Sequence, residues 1–90
     1  MAKVKLTSAL KRFFPALSDQ DVHANNICEV LSGLELKYPG ISNYLVDDAG
    51  CLREHVNIFV EGELIKDRVA LSDRLHDQDE VVIFQALSGG

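Results

Sequence analysis

Polar and apolar residues alternate along residues 3–7, where the sequence is KVKLT. A period of two puts successive side chains on opposite faces of a strand, so this segment predicts a β-strand with one buried face. Residues 19–24 carry a weaker form of the same pattern and predict a second strand. A hairpin of these two strands fits their order in the chain.

An amphipathic helix is predicted after Asn26. The apolar positions recur at i, i+3, i+4 and i+7, as Ile27, Val30, Leu31 and Leu34. Asn25 and Asn26 are the N-cap candidates, and Glu29 is at the N3 position if Asn26 is the cap. The helix is expected to end before Pro39-Gly40, because the residue before a proline is pushed out of helical geometry.

The second half of the chain predicts mostly strands. Residues 55–60 (HVNIFV) alternate, and a tight turn at 61–62 leads into a short strand at 63–65. Residues 41–45 are expected to form a short helical turn or an irregular segment, and residues 71–75 a single helical turn. A reverse turn is expected at 47–50 and a loop at 77–79. Residues 80–84 (EVVIF) are almost continuously apolar, the pattern of a central strand buried on both faces.

This order of elements predicts an α+β domain of two layers, in which one good helix covers one face of a sheet. The last strand is expected at the centre of the sheet, because its apolar run is the longest. We assign residues 1–86 to the folded domain and residues 87–90 to a flexible C-terminal tail.

Charge and composition narrow the class of partner. The 90-residue chain carries a net charge of −5, whereas nucleic-acid binding needs a basic surface. The first twelve residues carry only cations, and residues 61–80 hold seven acids against three bases. The acidic stretch indicates either a solvated face or a docking surface for a basic partner. No apolar run approaches the ~20 residues of a membrane span and no secretory signal is evident, so a cytoplasmic protein with no membrane partner is expected.

The sequence contains no catalytic or metal-binding constellation. Cys28 and Cys51 fit neither a CxxC redox motif nor a zinc framework, and Cys28 is expected to act as a small hydrophobe within the helix. No phosphate-binding loop or hydrolase motif is present. We therefore expect no enzymatic activity, no metal and no stably bound cofactor.

The chemistry that remains lies at the C-terminus. Gly89 and Gly90 follow the last predicted strand after only four residues. Glycines lack a Cβ, so this backbone fits a channel too narrow for side chains. Residues 85–90 span roughly 20 Å when extended. The terminal carboxylate is ionised at neutral pH and is a poor electrophile, so its reaction requires activation by a partner that uses ATP.

Several stretches resemble the MoaD/ThiS family of ubiquitin-like sulfur carriers. Residues 54–63 (EHVNIFVEGE) are similar to a strand and turn of that family, residues 75–84 (LHDQDEVVIF) to its last strand, and residues 38–40 (YPG) to the end of its main helix. The resemblance covers essentially the whole chain and implies a β-grasp fold, with a mixed sheet of four to five strands covered by one main helix. Gln78 departs from the family, which usually has glycine there, and so does the tail sequence QALS at 85–88.

The resemblance also implies a mechanism. An E1-like adenylating enzyme of the MoeB/ThiF type would use Mg-ATP to adenylate the Gly90 carboxylate. A sulfur donor would displace AMP and leave a thiocarboxylate. This group would deliver sulfide to a sulfur-acceptor synthase, in the biosynthesis of molybdopterin, cysteine or a related product.

The same resemblance implies which residues contact these partners. Phe84 is the matching position for docking, and Phe59, Leu64 and Ile58 are weaker candidates because core packing also explains apolar strand residues. Leu87, Ser88 and Gly89 belong to the tail, with Leu87 assigned to either tail or docking.

Two other functions remain open from the sequence. One is a protein modifier, whose Gly90 is joined to a lysine of a substrate protein through an isopeptide bond. The other is a β-grasp interaction domain whose terminal glycines have no role.

Overall fold

The computed structural model describes residues 1–85 of the chain. Its strands are β1 (Ala2–Leu6), β2 (Gln20–Val22), β3 (Val56–Val60), β4 (Glu63–Leu64) and β5 (Glu80–Gln85). Its helices are α1 (Ile27–Lys37) and α2 (Ser42–Leu45), with a 3-10 helix at Ser8–Arg12. No helix within residues 1–85 has the length and apolar character needed to cross a membrane.

The five strands form one mixed sheet in the order β2-β1-β5-β3-β4. β5 is parallel to β1 and antiparallel to β3, and the two outer pairs are antiparallel. Parallel strands need a long connection. Residues 7–79, which include α1, provide it between β1 and β5. The predicted central position of the last strand is confirmed.

Helix α1 covers one face of this sheet. Its predicted stripe is buried, namely Ile27, Val30, Leu31 and Leu34. The stripe belongs to the same core as Val4, Val81 and Ile83 of the two central strands. Within residues 1–85 the core contains no buried polar or charged residue, so hydrophobic burial is its main source of stability.

The ends of α1 follow from local hydrogen bonds. The Asn26 side chain accepts from the backbone N–H of Glu29 at 2.8 Å, so Asn26 is the N-cap among the two predicted candidates. The Glu29 carboxylate accepts from the backbone N–H of Asn25 at 2.7 Å. At the other end, Glu35 accepts from the backbone N–H of Gly40, whose φ of +97° is a conformation that glycine adopts at little cost.

The prediction that β5 is buried on both faces is wrong. Val81 and Ile83 are buried against the helix layer, whereas Val82 is half-buried and Phe84 is 44% exposed on the other face. Burial does alternate along β5, but the sequence does not show it, because the outward positions of β5 are apolar too. The sheet therefore has one covered face and one face without a helix.

The helical turn predicted for residues 71–75 is also wrong. The backbone of this segment bonds to the start of α1 instead of to itself. Leu71 O accepts from Cys28 N at 2.9 Å, and Leu75 N donates to Asn25 O at 2.9 Å. Of the two alternatives predicted for residues 41–45, the structure has the short helical turn, α2.

The first two strands pair antiparallel, as the predicted hairpin requires, and residues 7–19 connect them. The 3-10 helix in this connection was not predicted.

Both cysteines are free, and neither is fully buried. Cys28 is exposed, because it lies outside the buried stripe of α1, and Cys51 is half-buried. The expectation that Cys28 packs as a core hydrophobe is wrong.

Gln78, which replaces the family's usual glycine, has a φ of +70° in the left-handed region. A Cβ raises the energy of that conformation by roughly 1–2 kcal/mol. We expect Gln78→Gly to stabilise the domain by about 0.5–1 kcal/mol, since glycine's greater freedom in the unfolded chain offsets part of the gain. Chemical denaturation measures this, with Gln78→Ala as the matched control. A stabilisation by alanine as large as that by glycine would contradict the backbone explanation.

Candidate docking face and tail root

The sheet face opposite α1 is referred to here as the open face. Cross-strand pairing brings its outward residues into adjacent positions. Phe59 of β3 lies opposite Val82 of β5 on one side and opposite Leu64 of β4 on the other. Phe84 lies opposite Asn57 one pair further along. Side chains opposite one another in a sheet have Cβ atoms about 4.5–5.5 Å apart.

Four of these residues form a continuous apolar surface, which we call the apolar patch: Phe59, Leu64, Val82 and Phe84. Leu64 is 54% exposed and Phe84 is 44% exposed. Phe59 and Val82 are half-buried. A contiguous exposed apolar surface, unlike scattered single side chains, is a candidate interaction site in a soluble protein.

Charged residues border the apolar patch at the end of the sheet where β5 begins. The Lys5 Nζ atom lies 3.2 Å from the Glu80 carboxylate, and both side chains are about half exposed (52% and 46%). The Glu61 carboxylate accepts from the backbone N–H of Glu80 at 2.6 Å. A polar rim around an apolar centre is the usual anatomy of a protein interface.

The opposite end of β5 is the point from which the chain continues toward Gly90, and we call it the tail root. Gln85 pairs with Val56 of β3, and its side-chain nitrogen lies 3.4 Å from Nε2 of His55. On the other side, Thr7 N donates to Ile83 O at 3.3 Å. β3 thus pairs with β5 up to its last residue, whereas the side of β1 is bonded to β5 as far as Ile83.

Arg68 forms hydrogen bonds to the turn before β3, which lies beside the tail root. Its Nη2 donates to the backbone oxygens of Arg53 (2.7 Å) and Val56 (2.8 Å). Its Nη1 donates to the Asn57 side chain at 3.3 Å. These bonds fix the start of β3 against the loop that carries Arg68.

That loop is organised by Asp67. Hydrogen bonds from the Ser72 hydroxyl and from the backbone N–H groups of Ala70 and Val69 hold the pKa of the Asp67 carboxyl well below its usual range. The ionised carboxylate is therefore the form that orders this loop at neutral pH.

The structure places the predicted docking residues as follows. Phe84, Phe59 and Leu64 come together on the open face, whereas Ile58 is fully buried in the core and is not available for docking. Val82 belongs to the same patch and was missed, because its strand was expected to be covered on both faces. Leu87, Ser88, Gly89 and Gly90 lie outside the described residues, as does the predicted domain boundary at residue 86.

The described part of the chain has no group of three or more His, Cys, Asp or Glu side chains arranged to hold a metal ion.

The ThiS family model matches residues 8–90, which is nearly the whole chain and includes the terminal glycines. The chain belongs to the ThiS family. The predicted relationship to the ubiquitin-like sulfur carriers is thereby confirmed.

Two curated relatives of this ThiS-family chain have different names. The sulfur carrier protein CysO of Mycobacterium tuberculosis is 40% identical over 63 residues, 68% of each chain. Small archaeal modifier protein 3 of Haloferax volcanii is 32% identical over 62 residues, 69% of this chain and 66% of that protein. One relative is thus named a sulfur carrier and the other a modifier.

Solved structures confirm the β-grasp fold. The crystal structure of M. tuberculosis CysO superposes with a TM-score of 0.82 at 28% identity, covering 97% of this chain and 100% of that one. The crystal structure of the Amycolatopsis orientalis BexX/CysO complex gives a TM-score of 0.84 at 20% identity over the full length of both chains, and this likeness concerns the fold alone.

Proposed function

We propose that this protein is a sulfur carrier whose C-terminal Gly90 becomes a thiocarboxylate. The observation that carries the proposal is membership of the ThiS family over residues 8–90, with the two glycines at the end of the matched segment. The 40% identity to CysO, a named sulfur carrier, supports the same function. In this proposal the chain is a co-substrate and does not itself catalyse a reaction.

The proposed chemistry takes place in partner proteins. A carboxylate oxygen of Gly90 attacks the α-phosphorus of ATP in an E1-like enzyme of the MoeB/ThiF type, and pyrophosphate leaves. Hydrosulfide from a sulfur donor then attacks the carbonyl carbon, and the bond to AMP breaks. Sulfur in the resulting thiocarboxylate is ionised and nucleophilic, as thiolates are, so a sulfur-acceptor synthase can take it as sulfide.

The geometry of the described residues fits a chain that docks on a partner enzyme and presents its C-terminus to that enzyme. The apolar patch supplies a rigid docking surface, and the tail root lies at the end of the strand that carries Phe84. Residues 86–90 extend about 17 Å from Gln85 when fully stretched, at ~3.3–3.6 Å per residue. A partner that binds the patch therefore receives the terminal carboxylate within that radius. The partner synthase that binds the patch would determine which product receives the sulfur. That product would belong to molybdopterin, cysteine or related biosynthesis.

A second candidate function is protein modification through an isopeptide bond from Gly90 to a lysine. The observation in its favour is the 32% identity to small archaeal modifier protein 3. Both functions require adenylation of the same carboxylate, so they differ only in whether sulfide or a lysine amine displaces AMP.

The decisive experiment is intact mass spectrometry after incubation with Mg-ATP, the E1-like enzyme of the same organism and a sulfur donor. We expect a gain of about 16 Da, since one oxygen is replaced by sulfur at the C-terminus. Omission of ATP is the control. An unchanged mass with folded protein and active enzyme would contradict the carrier function. Immunoblots of cell extract that show a ladder of larger conjugates would support the modifier function.

A further inference from the structure

A second surface of distinct chemistry borders the tail root. The 3-10 helix Ser8–Arg12 follows β1 directly and presents the exposed cations Lys11 and Arg12. Phe13 comes next and is 52% exposed. We call these three residues, together with Tyr44 and Arg53, the basic aromatic surface. It lies outside the apolar patch, and none of its members is a predicted docking residue.

Stacking holds this surface in one arrangement. The Phe13 and Tyr44 rings lie 4.6 Å apart between centroids at an angle of 22°. Phe14 meets the Tyr44 ring edge-on at 5.6 Å and is packed against the core. Offset aromatic pairs of this kind stabilise by about 0.5–1.5 kcal/mol beyond their area burial. Phe13 is therefore fixed in place while half of its surface faces solvent.

Hydrogen bonds connect the same surface to the tail root. Arg53 Nε donates to the backbone oxygen of Asn43 at 3.0 Å, beside Tyr44. The backbone oxygen of Arg53 accepts from Val56 N, the residue that pairs with Gln85. The 3-10 helix flanks β5 from the other side, through the bond from Thr7 N to Ile83 O.

The charged side chains of this surface that form no ion pair are cations. Among residues 1–85, Lys11, Arg12 and Arg53 make no ion pair with a carboxylate. Two carboxylates of the same end of the sheet accept backbone hydrogen bonds: Asp19 accepts from Leu6 N of β1, and Asp47 accepts from the N–H groups of Ala49 and Cys51 in its own turn. Asp47 and Glu54 are exposed carboxylates that line one cavity together with Arg53, so the excess positive charge lies at Lys11 and Arg12. The surface therefore has the opposite sign to the chain as a whole, whose net charge is −5.

We propose that the basic aromatic surface binds an acidic segment of the protein that receives the C-terminal glycines, with an apolar side chain of that segment packed on Phe13. This inference rests on the proposed function and adds a second contact to it. The difference in charge between the two ends of the sheet would orient the carrier. The end with Lys11 and Arg12 would face the partner's acidic segment, and the end with Glu61 and Glu63 would face away. Complementary charges at an interface rim act mainly on the association rate and on specificity.

The test is isothermal titration calorimetry of the intact protein with the E1-like enzyme at 50 and 300 mM salt. We expect Lys11→Glu/Arg12→Glu to weaken binding about tenfold to a hundredfold at low salt and to remove most of the salt dependence. Phe13→Ala is expected to weaken binding about tenfold and to leave the salt dependence unchanged. The matched control is Lys66→Glu/Arg74→Glu, the same charge change at the opposite end of the sheet, with an expected change below twofold.

Each outcome has one meaning. Equal losses in the two charge-reversal variants would overturn the proposal, because net charge and not this surface would then determine binding. Unchanged binding of Lys11→Glu/Arg12→Glu, with a wild-type chain that is thiocarboxylated, overturns the inference and leaves the proposed function intact. A wild-type chain that neither binds nor reacts overturns both. Binding of a labelled single-stranded RNA that Lys11→Glu/Arg12→Glu abolishes would overturn the acidic protein partner in favour of RNA.

Discussion

A chain that lacks Gly90 is expected to gain no sulfur when it is incubated with Mg-ATP, the activating enzyme and a sulfur donor. Deletion moves the terminal carboxylate to Gly89, about 3.3–3.6 Å short of its former reach. Displacements of 1 Å at a reacting centre already cost on the order of a hundredfold in rate. Intact mass and ATP–pyrophosphate exchange measure the loss. The exchange assay reports adenylation without sulfur transfer, and so locates the failed step.

The same deletion is expected to leave the free energy of unfolding within about 0.5 kcal/mol of wild type, as for other changes at an exposed terminus. Gly90→Ala is the matched variant, because it keeps both the length and the carboxylate and adds only a Cβ. We expect it to slow adenylation without abolishing it, since a Cβ hinders entry into a narrow channel. Sulfur transfer by the deleted chain at the wild-type rate would rule out Gly90 as the site.

The sequence was most informative where one local rule decides the structure. The N-cap at Asn26 and the stripe from Ile27 to Leu34 depend on hydrogen bonds and a period within one helix, and both were confirmed. The 3-10 helix Ser8–Arg12 was missed because five residues carry no full helical period. Residues 71–75 were misassigned because their hydrogen-bond partners lie in α1, far away in sequence.

At the candidate site, too, the sequence pattern of β5 was not enough to predict its burial. A pattern of alternating burial is visible only when the outward residues are polar. Here the outward residues Val82 and Phe84 are apolar, so a strand with one free face resembled a strand buried on both. The misassignment is itself informative, because apolar residues on an uncovered face indicate a binding surface. Local rules of sequence fail most often at functional positions.

Phe84→Ala is expected to weaken binding of the activating enzyme by about ten- to a hundredfold, which corresponds to about 1.4–2.7 kcal/mol. Phe84 lies in the apolar patch, with 44% of its surface exposed in the free chain. Large aromatic side chains near the middle of an interface commonly contribute most of its binding energy. Calorimetric titration measures the change in Kd. The salt dependence should be unaffected, because the ring carries no charge.

The interpretation depends on Phe84 being a surface residue in the free protein, and Ile58 provides the matched test. Ile58 lies on the adjacent strand β3 and points into the core with no exposed surface. Ile58→Ala is expected to cost about 2–5 kcal/mol of folding stability, whereas Phe84→Ala should cost less than about 1 kcal/mol, because much of its ring already contacts water. Thermal denaturation separates the two. If Phe84→Ala lowers stability as much as Ile58→Ala, Phe84 is a core residue and the partner binds elsewhere. If it weakens binding while the domain stays folded, the open face is the surface from which the tail is presented.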